Sequence, residues 1–532
     1  MAATFACAVA IPCAASAQDR PNILLVVADD LGFSDTGPYG GEISTPTIDA
    51  LAEQGTLFTD FHASVSCSPT RSMLMSGNDN HVAGLGQMAE ILAPNQVGQP
   101  GYEGHLNDRV ASMAEVLRDA GYKTYMAGKW HLGHEKGSLP HDRGFDETLT
   151  LLVGGASHWN DRLGINPGDD PAEYAMNGEF LEELPADFFS SRSYTDHLMD
   201  LIRSGRDDDR PFFGYLAFTA PHDPVHAPEP WHSMYRGVYD EGYEVLERQR
   251  WESARTLGIL PEDADLAPMA PIVERWDELS DDRKAAEARA MEIYAGMVTN
   301  MDYHLGRMLD FLTDIGEIDN TLIIFLSDNG ANPWFSSDYP GATEPEFADQ
   351  FDNSLGNIGH PGSNVAYGSG WAGASSGPLD RFKMTVGEGG MRVPLIIAGP
   401  GISSGERTDA FAYVWDILPT VMELTGATYP ADKEQPRGRS MMPLLTGDTD
   451  ALYGEDELVG GEMGEGKWMR QGAFKAVTIP APYGDGNWRL FNVETDPGEA
   501  NDLSAEMPDL LSELRAAYDA YAEEVGVIPA EQ

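Results

Sequence analysis

The chain has 532 residues, 42 % hydrophobic and 23 % charged, a composition that excludes a disordered protein and is long enough for more than one core. Acidic residues outnumber basic ones by 86 to 34, a formal net charge of −52, and so negative a surface argues against nucleic acid as a partner. Beyond the N-terminal segment no stretch reaches the roughly 18 apolar residues that a membrane span needs.

Residues 1–17 read as a secretory signal. Ala2 to Ala15 are small and apolar, and Ala15-Ser16-Ala17 has the spacing of a cleavage site, although no Lys or Arg precedes Arg20. The expectation is an exported chain, periplasmic or secreted. Cys7 and Cys13 fall in that signal, so the mature chain keeps Cys67 alone and forms no internal disulfide.

Asn22 to Ala28 is a continuous apolar run, the pattern of a strand buried on both faces, and Asp29-Asp30-Leu31-Gly32 closes it. Thr45-Pro46 opens a helix that runs to Gly55, and Thr56 to Phe61 reads as a strand. Pro69 fits the first turn of a helix through Met75. Asp108 to Ala120 predicts another helix, followed by a strand at Tyr122 to Met126. Phe212 to Phe218 is a further apolar run. Tyr294, Met297, Val298, Met301, Leu305, Met308, Leu309 and Leu312 line one face of a long helix. Thr321 to Leu326 is a strand directly after it, leading to Asp328-Asn329-Gly330. Asn332 to Pro378 reads as a long loop that walls a site. Ala473 to Ile479 and Asn487 to Val493 predict short strands, and Leu510 to Val525 a terminal helix. The alternation of strands and helices predicts an α/β fold, a large, mainly parallel sheet flanked by helices on both faces over residues 20–440. A smaller C-terminal α+β domain with a short antiparallel sheet is expected over 441–532.

In an open α/β sheet, ligands bind beyond the carboxyl ends of the strands. Those ends carry Asp29, Asp30, Asp328 and Asn329, hard oxygen donors suited to Ca²⁺ or Mg²⁺. Each group alone is also an ordinary turn sequence. Cys67 sits near a helix N-terminus, where free N–H groups favour an anion, and Arg71 adds a permanent fork of donors. A lone Cys is more often an inert buried residue.

The ordered set of segments changes that balance. Cys67-Ser68-Pro69-Thr70-Arg71 resembles the C-x-P-x-R signature of the sulfatase family, whose cysteine is oxidised to formylglycine. Pro21 through Gly32 is similar to the family's first strand and metal pair, and Gly128-Lys129-Trp130-His131-Leu132-Gly133 to its second signature. Ala220-Pro221-His222, Ser327-Asp328-Asn329-Gly330, and Lys383 with Glu388-Gly389-Gly390-Met391-Arg392-Val393-Pro394 resemble the later site segments. Asp496-Pro497-Gly498-Glu499 is similar to the turn of its C-terminal domain. The likeness runs in order over residues 20 to 505 and is greatest to the bacterial arylsulfatases of this alkaline-phosphatase-like superfamily.

The resemblance implies a mechanism. Formylglycine at 67 is hydrated to a geminal diol, one hydroxyl of which attacks sulfur; loss of the proton from the other expels sulfate. Asp29, Asp30, Asp328, Asn329 and an oxygen of residue 67 hold Ca²⁺, Arg71 and Lys129 stabilise the diol, and His131 is the base for release. His222 and Lys383 bind the ester and protonate the leaving oxygen. A maturation enzyme that generates formylglycine is the implied protein partner, and a small or carbohydrate sulfate ester the implied substrate. His81 and His158 read as structural or pocket-wall residues. The competing readings are a phosphonate monoester or phosphodiester hydrolase of the same superfamily, and a non-catalytic calcium- or glycan-binding protein.

The charge of −52 also has a consequence for stability. Self-repulsion weakens the fold at low ionic strength. The melting temperature is expected to rise with added NaCl in a calorimetric scan. A flat or falling response would show that the acidic groups are compensated locally.

Overall fold

The computed structural model describes residues 20–339 and 344–531; the segment expected to be a secretory signal, with Cys7 and Cys13, lies outside them. The strands in chain order are β1 (Asn22–Ala28), β2 (Thr56–Phe58), β3 (Phe61–His62), β4 (Lys123–Lys129), β5 (Glu147–Leu151), β6 (Tyr174–Met176), β7 (Glu179–Phe180) and β8 (Phe212–Ala217). They continue with β9 (Thr321–Ser327), β10 (Leu395–Ala398), β11 (Glu406–Thr408), β12 (Ala412–Tyr413), β13 (Leu458–Met463), β14 (Gly466–Gln471), β15 (Phe474–Thr478) and β16 (Trp488–Asn492).

Ten of these form one sheet in the order β11-β2-β10-β9-β1-β8-β4-β5-β6-β7. The run β9-β1-β8-β4-β5 is parallel throughout, and β10 lies antiparallel beside β9. β1 is apolar along its whole length because both faces are covered. Leu24, Val26 and Ala28 join a core on one side, where the helices Pro46–Gln54, Ser190–Ser204 and Asp281–Asp314 pack. Ile23, Leu25 and Val27 join the other, with the helices Cys67–Ser76, Met113–Asp119 and Ile417–Thr425. The large, mainly parallel sheet with helices on both faces is the architecture expected from the sequence.

β13 to β16 make a separate four-stranded antiparallel sheet. Met469, Ala476 and Leu490 on one face pack against Leu514, Tyr518 and Tyr521 of the helix Pro508–Val525. Trp468, Val477 and Phe491 join the core of the large sheet. Buried ions tie the two sheets together. Lys475 Nζ lies 2.7 Å from Glu388 Oε1 and 3.2 Å from Glu499 Oε1, and His62 Nε2 lies 3.0 Å from Glu388 Oε2. Glu499 also accepts from the Glu388 backbone N–H at 2.8 Å. These bonds anchor the segment that follows Lys383.

Four local expectations change. The strand Thr56–Phe61 is split, because β2 pairs with β10 and β11 whereas β3 pairs with β12 in a two-stranded sheet. The helix expected from Asp108 starts at Met113: Ser112 and Glu115 form a reciprocal capping box there, which fixes the first turn. β4 continues to Lys129, so the lysine is the last residue of the strand and not part of a following loop. Asn332 to Pro378 contains the helices Glu344–Gln350 and Gly368–Ser376. The second is Gly- and Ser-rich because it packs closely: a Cβ at Gly370 would lie 2.4 Å from the Tyr243 ring.

Gly128, next to last in β4, has φ +120°, and a Cβ there would lie 1.7 Å from the carbonyl oxygen of Ala217 in β8. Neither strand can yield without moving the residues beyond it. Gly128→Ala is expected to destabilise by about 3 kcal/mol or more in urea or thermal unfolding. Gly373→Ala, in a helix with open space around the Cβ, should be neutral or slightly stabilising.

Candidate active site

The parallel run delivers four chain segments to one edge of the sheet. β1 leads into Asp29 and Asp30, β9 into Asp328 and Asn329, β4 ends in Lys129, and β8 leads to His222. β10 enters this edge from the opposite direction, with Leu395 beside Leu326, so the segment before it brings in Lys383. The Lys383 turn is pinned on both sides: its N–H donates to Ala331 O at 3.0 Å, and that of Met384 to Val65 O at 2.8 Å. Gly330 permits the approach, since a Cβ there would lie 1.9 Å from Gly389 O.

Cys67 is the first residue of the helix Cys67–Ser76, every residue of which is buried. Its Sγ donates to Asp29 Oδ1 at 3.4 Å and Asp30 Oδ1 at 3.6 Å, and accepts from Lys383 Nζ at 3.3 Å. Arg71, one turn further on, donates from Nε to Asp328 Oδ2 at 2.9 Å and from Nη1 to Lys129 O at 2.8 Å. Its Nη2 lies 2.8 Å from Asp328 Oδ2 and 3.6 Å from Asp29 Oδ1. Lys129 Nζ donates to both Asp29 oxygens, at 2.9 and 2.8 Å, and Lys383 Nζ to both Asp30 oxygens, at 2.8 Å each. Asn329 Nδ2 donates to Asp30 Oδ1 at 2.7 Å. Asp30 holds φ +65° and His131 φ +56°, left-handed conformations that a side chain tolerates poorly and that cluster at functional sites.

The electrostatics follow from burial and pairing. Burial alone would raise the Asp30 carboxyl, but the Lys383 ammonium, with His222 and Lys129, holds it well below the usual carboxylate range. Burial, reinforced by Asp29, pushes the Asp328 carboxyl up against the pull of Arg71. Burial also raises the Cys67 thiol well above its ordinary value, so the unmodified side chain is a thiol and not a thiolate nucleophile. Burial would lower Lys383, yet Asp30 raises it well above its ordinary value. Burial lowers His222 to about 4, although Asp30 3.5 Å away pulls it up. His222 is therefore a neutral imidazole whose Nδ1–H donates to Asp223 O at 2.6 Å.

Of the ten residues singled out in the sequence, eight form one hydrogen-bonded cluster, and His222 lies against it with Nε2 3.5 Å from Asp30 Oδ2. His131 stands apart from it: its Nε2 lies 2.9 Å from Glu90 Oε1, and it lines the same cavity as Cys67, His222 and Lys383. This cavity of about 710 Å³ is also bounded by Met88, Ile91, Leu152, Ile165, Trp334 and Tyr339. Sequence reasoning missed Glu90 and the wall formed by residues 152–155 and 164–173. A pair such as Glu90 and His131, 41 residues apart and outside any repeated spacing, leaves no local pattern. It also missed Asp223, which accepts from Tyr339 at 2.9 Å and Asn332 at 2.6 Å behind His222; its place next to His222 was the available signal. His158, expected as a structural or pocket-wall residue, hydrogen-bonds His222 O at 3.0 Å, and His81, expected likewise, bridges Asp79 and Glu462; both are buried behind the cavity lining.

A protein-family model described as Sulfatase matches residues 21–427. An uncharacterized sulfatase of Schizosaccharomyces pombe is 40 % identical over 527 residues, covering 96 % of this chain and 95 % of that one. The arylsulfatase of Klebsiella aerogenes is 41 % identical over 415 residues, covering 77 % and 88 %. Among solved structures, Ps i-CgsB in complex with k-i-k-neocarrahexaose has a TM-score of 0.67 at 24 % identity, over 94 % of this chain and 93 % of that one, a likeness of fold.

Proposed function

The chain belongs to the sulfatase family, enzymes that hydrolyse sulfuric esters, and on that premise we propose that this site cleaves a sulfate monoester with a formylglycine made from Cys67 and a bound Ca²⁺. The observation that carries the proposal is the position of Cys67, at a helix N-terminus on the cavity wall and in contact with Asp29, Asp30 and Lys383.

The donor set fits a hard divalent ion. Asp29, Asp30, Asp328 and Asn329 offer oxygens only, and Asn329 Oδ1 is buried without a hydrogen-bond partner. Three carboxylates here balance three cations, Arg71, Lys129 and Lys383, so a divalent ion leaves the site net positive for an anionic ester. Residue 67 fits formylglycine because its side-chain atom reaches both Asp29 and Asp30 while facing the cavity.

When present, the formylglycine hydrate supplies the nucleophile and a second hydroxyl for release, and Ca²⁺ supplies Lewis-acid polarisation of a sulfate oxygen. The remaining work belongs to the side chains. Arg71 and Lys129 hold fixed positive charge around residue 67 and Asp29, where negative charge develops. Lys383 is protonated and faces the cavity, placed to bind the ester. His222 shares the leaving-group role: its Nδ1–H is engaged by Asp223 O, so a proton for the departing oxygen must come from Nε2, and the ester's charge favours that protonated form. His131, held by Glu90, is the candidate base for sulfate release. The proposal includes export of the chain and maturation of Cys67 by a separate enzyme.

Three measurements test these assignments. Purified, matured protein should hydrolyse aryl sulfates faster than aryl phosphonates and carry stoichiometric calcium. Asp328→Ala should lose both metal and turnover; stoichiometric zinc on which activity depends would contradict the ion. His222→Ala should slow a nitrophenyl sulfate modestly and an ester of a more basic phenol much more, within the roughly 10²–10⁴-fold range of general-acid catalysis. The readout is the slope of log(kcat/KM) against leaving-group pKa. An unchanged slope in His222→Ala removes His222 from the acid role.

A further inference from the structure

The cavity in front of residue 67 must hold whatever the sulfate is attached to, and its charges restrict what that group can be. Among the described residues, no arginine lines it, and Lys383 is its only lysine. Every basic group on its wall already faces a carboxylate. His131 is paired with Glu90 at 2.9 Å, His134 with Glu173 at 2.8 Å, and Lys383 is held by both oxygens of Asp30. His222 Nε2 lies 3.5 Å from Asp30 Oδ2, within the sulfate-binding cluster.

The acidic side is not balanced in the same way. Asp169 and Asp170 are exposed on the cavity wall and form no ion pair with any described residue. Asp169 Oδ2 accepts only a backbone N–H, from Asn166 at 2.8 Å. The rest of the wall is largely apolar, with Ile91, Leu152, Ile165 and Trp334. Beyond the sulfate-binding cluster the described residues of the cavity therefore offer apolar contact and hydrogen-bond acceptors, and no unpaired cation to receive a second anion. The chain's overall charge of −52 adds to that field.

We propose that this cavity selects sulfate esters whose leaving group carries no negative charge of its own, and that Asp169 and Asp170 enforce the selection. The inference rests on the sulfatase reading. It names the substrate class as monosulfated esters of neutral or cationic alcohols, whether phenols or sugars, and excludes polyanionic, multiply sulfated chains. The carboxylates repel carboxylates and second sulfates and leave a neutral group unaffected.

The test compares two aryl sulfates of nearly equal size, 3-carbamoylphenyl sulfate and 3-carboxyphenyl sulfate, on the matured protein and on a double variant, Asp169→Asn with Asp170→Asn. Both positions are exposed, and asparagine keeps an acceptor oxygen for the Asn166 N–H, so the variant should melt as the parent does. At low ionic strength the carboxylate ester is expected to have a kcat/KM about tenfold or more below the amide, and the gap should narrow in high NaCl. In the variant the gap should shrink at least threefold, roughly, while the amide ester keeps its kcat/KM within about twofold. Equal rates for the two esters, or a gap that the variant leaves unmoved, would overturn the selection while leaving the sulfatase reading intact. Failure to hydrolyse either ester would instead overturn that reading and this inference with it.

Discussion

Three carboxylates and three cations share a volume that water barely reaches, and the rest of the molecule is arranged to make that possible. Asp29, Asp30, Asp328, Arg71 and Lys129 are at most 1 % exposed, and Lys383 is 4 % exposed. A buried ion without its partner is uncompensated, and breaking such a pair typically costs about 3–5 kcal/mol. None of these six can therefore be placed independently. Arg71 spans Asp328, Asp29 and the carbonyl of Lys129, and so fixes the ends of β1, β4 and β9 relative to the helix that starts at Cys67. Lys383 arrives from the opposite direction on the segment that Glu388, Lys475 and Glu499 hold against the C-terminal sheet. That small sheet thereby helps to place a lysine that touches Cys67.

The same balance accounts for an anion site in a chain of net charge −52. The cluster is neutral on its own side chains, and a divalent ion makes it locally positive. On the proposed chemistry, attraction for sulfate is confined to the few ångströms around residue 67, and the described lining beyond it is apolar, acidic or already ion-paired. On the selection proposed above, a field attractive only at the reacting group recognises the ester by its sulfate and screens the leaving group by its charge.

The parts of the fold visible in the sequence are those that one-dimensional patterns encode. β1, β8 and β9 are buried on both faces and so read as unbroken apolar runs. Asp29, Asp30, Asp328 and Asn329 were legible because ligands gather at the carboxyl ends of parallel strands. The helix before β4 was placed too early because periodicity continues upstream of Ser112, whereas the capping box is a local hydrogen-bond geometry. Short strands such as β6, β7 and β10 have too few residues to show a period. The cavity wall was the least legible part. Glu90 against His131, and Asp223 against Tyr339, are meetings of distant segments. They follow from the topology of the sheet and not from any spacing along the chain.

The central claim is that the reacting group at position 67 is an aldehyde derived from cysteine, held between the acidic metal-binding groups and Lys383. Peptide mass spectrometry of the fragment containing residue 67, taken from enzyme whose sulfatase activity has been measured in the same preparation, addresses it most directly. The account predicts that the thiol mass is replaced by that of the aldehyde or its hydrate, in a fraction that tracks specific activity across preparations. Fully active protein with an intact Cys67 thiol would contradict it.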